Sequence, residues 1–205
     1  MTTTIDSKKD LILKTARELL AKNGFAKTTL DDIAGALGMK KSSLYYYYDN
    51  KDLLIQDVMQ KEEEKFFKEV YKDIDKNITA INKIINFEIA KFKYVTETSK
   101  MYLMSPNLYI EFKTKLFKYL KQVHAKEQSI LTKIIIKGIE NNEIENCDAE
   151  KVAKLILTIS EALRHREFYF ATFSINKEIN FNNAVEEMTF AVKLIFEGLK
   201  AKKIN

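Results

Sequence analysis

Residues 29–48 read TLDDIAGALGMKKSSLYYYY. Thr29 is a favoured N-cap, and Asp32 stands three positions on as its capping-box partner, so a helix is predicted to start at Leu30. Ile33, Ala34 and Leu37 continue it at helical spacing. Gly38 then permits a turn of positive φ. A second short helix is predicted from about Lys40 to Tyr47. Two short helices joined by a glycine turn form a helix-turn-helix, whose second helix is shaped to enter a DNA major groove. Ala34 is small where the two helices approach, and Ile33, Leu37 and Leu44 are expected to close a core with Ile12, Ala16 and Leu19. Leu44 and Tyr48, four residues apart, share one face and are read as core, whereas Tyr46 points away from it.

The flanks also read as helix. Ile12, Leu13, Ala16, Leu19 and Leu20 give a helical period that Asn23-Gly24 ends. Asn50 caps a helix that starts at Lys51 and continues to Tyr71. A further helix is predicted over 78–94. Ser105-Pro106 reads as N-cap and first residue of a long amphipathic helix ending near Asn141-Asn142. Asp148 caps another from Ala149 to Phe173, and the last runs from about Phe181 or Ala184 to Leu199. No stretch alternates as a strand does, so the predicted fold class is all-α.

Composition agrees with that class. Of 205 residues only five are glycine and one is proline, which favours long helices over the many turns of a β fold. No apolar run approaches the ~20 residues of a membrane span. The first ten residues are polar, and Cys147 is the single cysteine. These features predict a cytoplasmic protein with no membrane partner. The glycines form no phosphate-binding loop, and His124 and His165 stand far apart with no cysteine or histidine cluster at metal-ligand spacing. No metal, cofactor or catalytic residue is expected. An enzyme built on either histidine would lack a nucleophile and an orienting group. Nothing around Cys147 marks a redox sensor.

The stretch Ile12 to Leu54 resembles the DNA-binding domain of the TetR family of transcriptional regulators. The matching residues are Ala16, Gly24-Phe25, Thr28-Thr29, Ile33-Ala34, Gly38-Met39, the run Leu44 to Tyr48, and Lys51-Asp52-Leu53-Leu54. The resemblance implies a three-helix DNA-binding domain over residues 1–52 and a helical effector-binding and dimerisation domain over 53–205. It implies that Thr29, beside Thr28, meets a phosphate. Lys41, Ser42 and Ser43 would contact base edges and flanking phosphates, Tyr45, Tyr46 and Tyr47 the phosphates, and Lys51 the DNA backbone. Tyr48 stands at a place that is usually a core phenylalanine. Two residues depart from the family pattern and bear on base preference. Lys40 replaces the usual capping serine or threonine, and Ser42 stands where glycine, alanine or proline is common. The physics supports DNA independently. Residues 1–51 hold nine basic and six acidic side chains. Lysines on phosphates give salt-sensitive affinity, and serine is a weak discriminator of bases, so DNA shape is expected to share in specificity.

The resemblance further implies a small inducer within 53–205. Phe87, Phe92, Tyr94, Tyr102, Tyr109, Phe112, Phe117, Tyr119 and Phe168 are candidate lining for a largely apolar or aromatic effector, with ordinary core packing as their other role. In Arg164-His165-Arg166, Arg164 and His165 are candidates to meet an anionic effector; the alternative is pairing with Glu161 or Glu167. The last two helices carry more than one apolar stripe. Leu155, Ile159, Leu163, Phe170, Val185, Met188, Val192, Ile195 and Leu199 are therefore expected at a symmetric four-helix dimer interface, the alternative being a buried pair within a monomer. The expected function is a ligand-responsive homodimeric repressor on a pseudo-palindromic DNA operator, with the helix from Lys51 as lever. The alternatives are an activator, or a regulator acting through a protein partner without a ligand.

Overall fold

The computed structural model describes residues 2–24, 26–74, 78–101, 114, 117–173 and 179–200. Among them all regular structure is helical: α1 (Thr2–Asn23), α2 (Leu30–Ala36), α3 (Lys41–Tyr45), α4 (Lys51–Ile74), α5 (Ala80–Met101), α6 (Phe117–Glu140), α7 (Ala149–Phe173) and α8 (Asn182–Lys200). The all-α expectation holds. No helix among the described residues is long and apolar enough to cross a membrane. The chain forms two compact units, Met1–Phe67 with Glu97–Phe117, and Lys68–Thr96 with Lys118–Asn205.

In the first unit, α1 begins at Thr2, well before the apolar period that revealed it. Residues 2–10 are mostly polar, so periodicity carries no signal there, yet no glycine or proline stops the helix. Ile12, Ala16 and Leu20 of α1 are buried with Ile33 and Ala34 of α2, Leu44 of α3, and Leu54, Ile55 and Val58 of α4. Leu19 and Leu37, expected in this core, are only half-buried. Polar ties join α1 to α4 within this unit. Arg17 Nε donates to Glu62 Oε1 at 2.8 Å, and Lys9 Nζ lies 2.7 Å from Asp57 Oδ2.

In the second unit, α5 contributes Ile84, Phe87 and Phe92 to the core, α6 Leu131 and Ile135, α7 Ile156, Leu157 and Phe168, and α8 Val192 and Phe196. Phe181, just before α8, places its ring 5.5 Å from Phe92 and 5.7 Å from Phe168, a tilted and edge-on cluster of the kind aromatic rings favour. Gly138 lets α6 approach the start of α5. A β-carbon there would lie 2.7 Å from Ala80 Cβ and 2.7 Å from Ile144 Cδ1. The α6 end agrees with the sequence reading, with Asn142 in the left-handed region at φ 59°. Its predicted start at Ser105-Pro106 lies outside the described residues. The α7 bounds match the prediction, and Asp148 caps it by accepting the Lys151 N–H at 3.1 Å.

Candidate nucleic-acid interface

The turn between α2 and α3 is built as its residues dictate. The Asp32 N–H donates to Thr29 Oγ1 at 3.1 Å, and the Thr29 N–H donates to Asp32 Oδ2 at 2.8 Å, a complete capping box. These contacts hold the Asp32 carboxyl below its usual range, chiefly through the Thr29 hydroxyl and N–H, with a smaller contribution from Lys51. Gly38 takes φ 62°, a conformation that costs side-chain-bearing residues about 1–2 kcal/mol. Its N–H and that of Met39 close the turn onto Gly35 and Ala34 carbonyls.

Helix α3 is shorter than predicted. Lys40 is extended and makes no side-chain cap, and the helix covers Lys41–Tyr45. At its start, lysine has no acceptor for the orphan N–H groups of the first turn. The chain continues as a turn, with the N–H groups of Tyr47 and Tyr48 both bonded to the Leu44 carbonyl. Leu44 and Tyr48 are buried, as their spacing predicted. The Tyr48 hydroxyl donates to Asp57 Oδ2 at 3.0 Å, and burial, then Asp57, pushes its pKa far above the usual tyrosine value.

The outward face of this unit presents the other predicted DNA residues. Tyr46 is 81% exposed, and Tyr45 is exposed at 40%. Tyr47 is half-buried and packs edge-on against Tyr46, ring centroids 5.4 Å apart. Thr29, Lys40, Lys41, Ser42 and Ser43 are exposed, and Lys51 is half-buried. Thr28 is a correction. It is fully buried, and its hydroxyl donates to the Gly24 carbonyl at 2.9 Å and lies 3.3 Å from that of Leu19. It ties down the end of α1 and is not available to DNA. The Thr29 hydroxyl is exposed but donates to Asp32 Oδ2 at 2.7 Å, so a phosphate must compete for that proton.

Asp31 is a residue the sequence reading missed. Its Oδ2 lies 2.7 Å from Lys41 Nζ, and both side chains are largely exposed. Asp31 raises the Lys41 pKa through this bond and its charge. A phosphate approaching Lys41 competes with this carboxylate for its charge. Asp31→Asn is expected to strengthen binding to scrambled DNA by about two- to fivefold per subunit, the scale of one exposed ion pair. Fluorescence anisotropy at low salt checks this; unchanged or weaker binding would place Lys41 away from the DNA.

Among the described residues, the predicted effector residues do not line one cavity. Phe87, Phe92 and Phe168 are buried, and the Phe181 ring packs against both Phe92 and Phe168. The crevice beside Phe92, walled by Ile85, Glu88 and Val192, has no room for a water molecule. Phe117 is 67% exposed, and Tyr94 is half-buried. Tyr102, Tyr109 and Phe112 lie outside the described residues.

The arginine-histidine cluster splits three ways, as helical spacing requires. Arg166 reaches both Glu167 and Glu187, with its Nη1 2.7 Å from Glu187 Oε2, and so ties α7 to α8. His165 is exposed, with Nε2 3.7 Å from Glu161. Arg164 turns inward. Its Nη1 donates to Ser160 Oγ at 2.7 Å, its guanidinium lies 5.8 Å from the Phe92 ring centre, and Ser160 donates to Glu88 Oε2. Lys91 completes this buried group, 2.8 Å from Glu127 Oε2 and 3.8 Å from Glu88 Oε2. Glu88 Oε1 is buried with no hydrogen-bond partner among the described residues. Single polar residues at core positions of apolar helices, such as Glu88 and Ser160, were the available signal for this group.

On α7 and α8 the second apolar stripe is real but differs in membership. Leu155 and Phe170 are exposed, and Ile159, Leu163, Val185, Ile195 and Leu199 are half-buried. Met188 and Val192 are corrections: they are 2% and 0% exposed and belong to the subunit's own core. They lie on the face of α8 opposite Phe190 and Leu194, which are 67% and 56% exposed. Tyr169 and Phe173, also exposed, stack edge-on with centroids 5.0 Å apart. Burial pushes the Cys147 thiol up, followed by the Asp148 charge, which lowers its thiolate content at neutral pH.

Residues 12–58 match the family described as bacterial regulatory proteins, tetR family. Over 191 residues the chain is 26% identical to the biofilm operon icaADBC HTH-type negative transcriptional regulator IcaR of Staphylococcus epidermidis, covering 92% of this chain and 98% of that protein. Its fold is similar to a TetR transcription regulator from Haloarcula marismortui, with a TM-score of 0.69, 19% identity, and coverage of 95% of this chain and 98% of that one. It is also similar to the transcriptional regulator FadR of Bacillus subtilis, solved in complex with stearoyl-CoA, with a TM-score of 0.56, 21% identity, and coverage of 87% and 96%. These relatives are transcriptional regulators and not enzymes.

Proposed function

We propose that this chain is a TetR-family transcriptional regulator that acts as a homodimeric repressor, released from a pseudo-palindromic operator by a small, largely apolar or aromatic effector. Residues 1–52 read the DNA, and residues 53–205 dimerise and receive the effector. The observation that carries the reading is Tyr46, 81% exposed at the end of a recognition helix whose Leu44 and Tyr48 are buried. A large aromatic side chain held out in solvent beside Lys40, Lys41, Ser42 and Ser43 is suited to a phosphate backbone. Repression follows the relative that is a negative transcriptional regulator. Dimerisation is supported by the exposed apolar stripe of Leu155, Phe170, Phe173, Phe190 and Leu194 on α7 and α8. Effector response is supported by the relative solved with stearoyl-CoA. Two recognition helices then meet successive major grooves, about 34–36 Å apart, and an effector acts by favouring another separation. α4, which starts at Lys51, is the lever.

The test is fluorescence anisotropy with DNA from immediately upstream of the protein's own gene against scrambled DNA, at low and near-physiological salt. Preferential binding that survives the higher salt is expected. Equal binding to both DNAs that vanishes with salt would overturn sequence-specific regulation from this site. Sedimentation at micromolar concentration is expected to give a dimer; a monomer would overturn the symmetric operator.

A further inference from the structure

A groove in the second unit runs between the end of α4, the start of α5 and the C-terminal half of α6, and encloses about 240 Å³. Its floor is apolar, built by Ile130 and Ile134. Its rim carries three lysines, Lys83 from α5 and Lys133 and Lys137 from α6. None of the three makes an ion pair with another described residue. Lys133 and Lys137 are four residues apart on one helix face, a spacing at which like charges repel. Lys83 adds a third positive charge to the same groove. Among the described residues lining the groove the one carboxylate is Glu143, and it is already engaged: it accepts the Ala80 N–H at 2.6 Å and an Asn141 amide N–H at 3.3 Å.

We propose that this groove binds a small amphipathic anion, its apolar body on Ile130 and Ile134 and its carboxylate or phosphate among Lys83, Lys133 and Lys137. An anion relieves the repulsion between the lysines and gains charge-assisted hydrogen bonds. The volume lies below the ~300–1,000 Å³ of drug-sized sites, so the ligand is a short acyl or aryl compound. The binding site stands independently of the repressor reading; that its occupancy alters operator affinity rests on that reading.

The test is isothermal titration of the full chain with octanoate or octyl phosphate, with octanol and inorganic phosphate as comparisons. Octanoate, octyl phosphate or both are expected to bind, with octanol and inorganic phosphate each weaker by about tenfold or more, since each lacks one half of the recognition. Lys133→Glu with Lys137→Glu is expected to weaken binding by about tenfold or more. Lys118→Glu with Lys121→Glu makes the same charge change on exposed residues of the same helix and should stay within about twofold of the parent. Circular dichroism verifies that both variants are folded. Four results would overturn the site: no binding of either amphiphile, octanol binding as well, inorganic phosphate binding as well, or equal loss in both double variants. Groove binding that leaves operator affinity unchanged would retain the site and overturn only its regulatory role.

Discussion

Lys91→Met is expected to lower the free energy of unfolding by about 3–5 kcal/mol, the cost of removing one partner from a buried ionic group. Lys91 is 4% exposed and stands between Glu127 at 2.8 Å and Glu88 at 3.8 Å. Glu88 and Glu127 are themselves buried, and Arg164 reaches Glu88 only through Ser160. Two acids and two bases balance, so methionine leaves one buried negative charge in excess. Methionine matches the lysine stem in size, so the loss comes from charge and not from a cavity. Urea unfolding measures it. In a Glu127→Gln background the same substitution is expected to cost much less, because the carboxylate it would orphan is gone. An equal loss in both backgrounds would show that Lys91 contributes packing alone.

Replacing Lys40 and Lys51 with alanine is expected to have the largest effect on DNA. In a dimer it removes four positive charges from the interface. Each phosphate contact contributes about 0.9 to the slope of log affinity against log salt, so the slope should fall by about 3–4. At ~0.1 M salt, relative to ~1 M, this corresponds to an affinity loss on the order of 10³–10⁴-fold, for operator and scrambled DNA alike. Lys40 is exposed and uncommitted to a helix cap, and Lys51 opens α4 beside the recognition turn. Anisotropy titrations across a salt series check the slope. A parent-like slope would remove both lysines from the phosphate-facing surface.

The helix-turn-helix was legible because its signals are local. A capping box, a glycine turn and a four-residue spacing of Leu44 and Tyr48 each act within one or two turns of chain, and each is present in the fold. Thr28 was misread because a threonine beside an N-cap looks polar and exposed, while its burial depends on carbonyls of α1. Asp31 was missed because its partner Lys41 is ten residues away, across the turn. On α8, periodicity showed that two stripes exist but not which one faces inward. Met188 and Val192 against Phe190 and Leu194 is a choice made by α5 and α7.

The sequence by itself determined the helical class, the recognition turn, the caps at Thr29 and Asp148, and the outward aim of Tyr46. All of these follow from energies between near neighbours in the chain, which a reader of residue order can see. Only the tertiary structure decided that Phe92 and Phe168 close on Phe181, that Arg164 turns inward to Ser160 and Glu88, and that three lysines meet at one groove. These depend on which faces of distant helices meet. Burial and charge pairing act through space, between residues such as Glu88 and Ser160 that stand 72 positions apart.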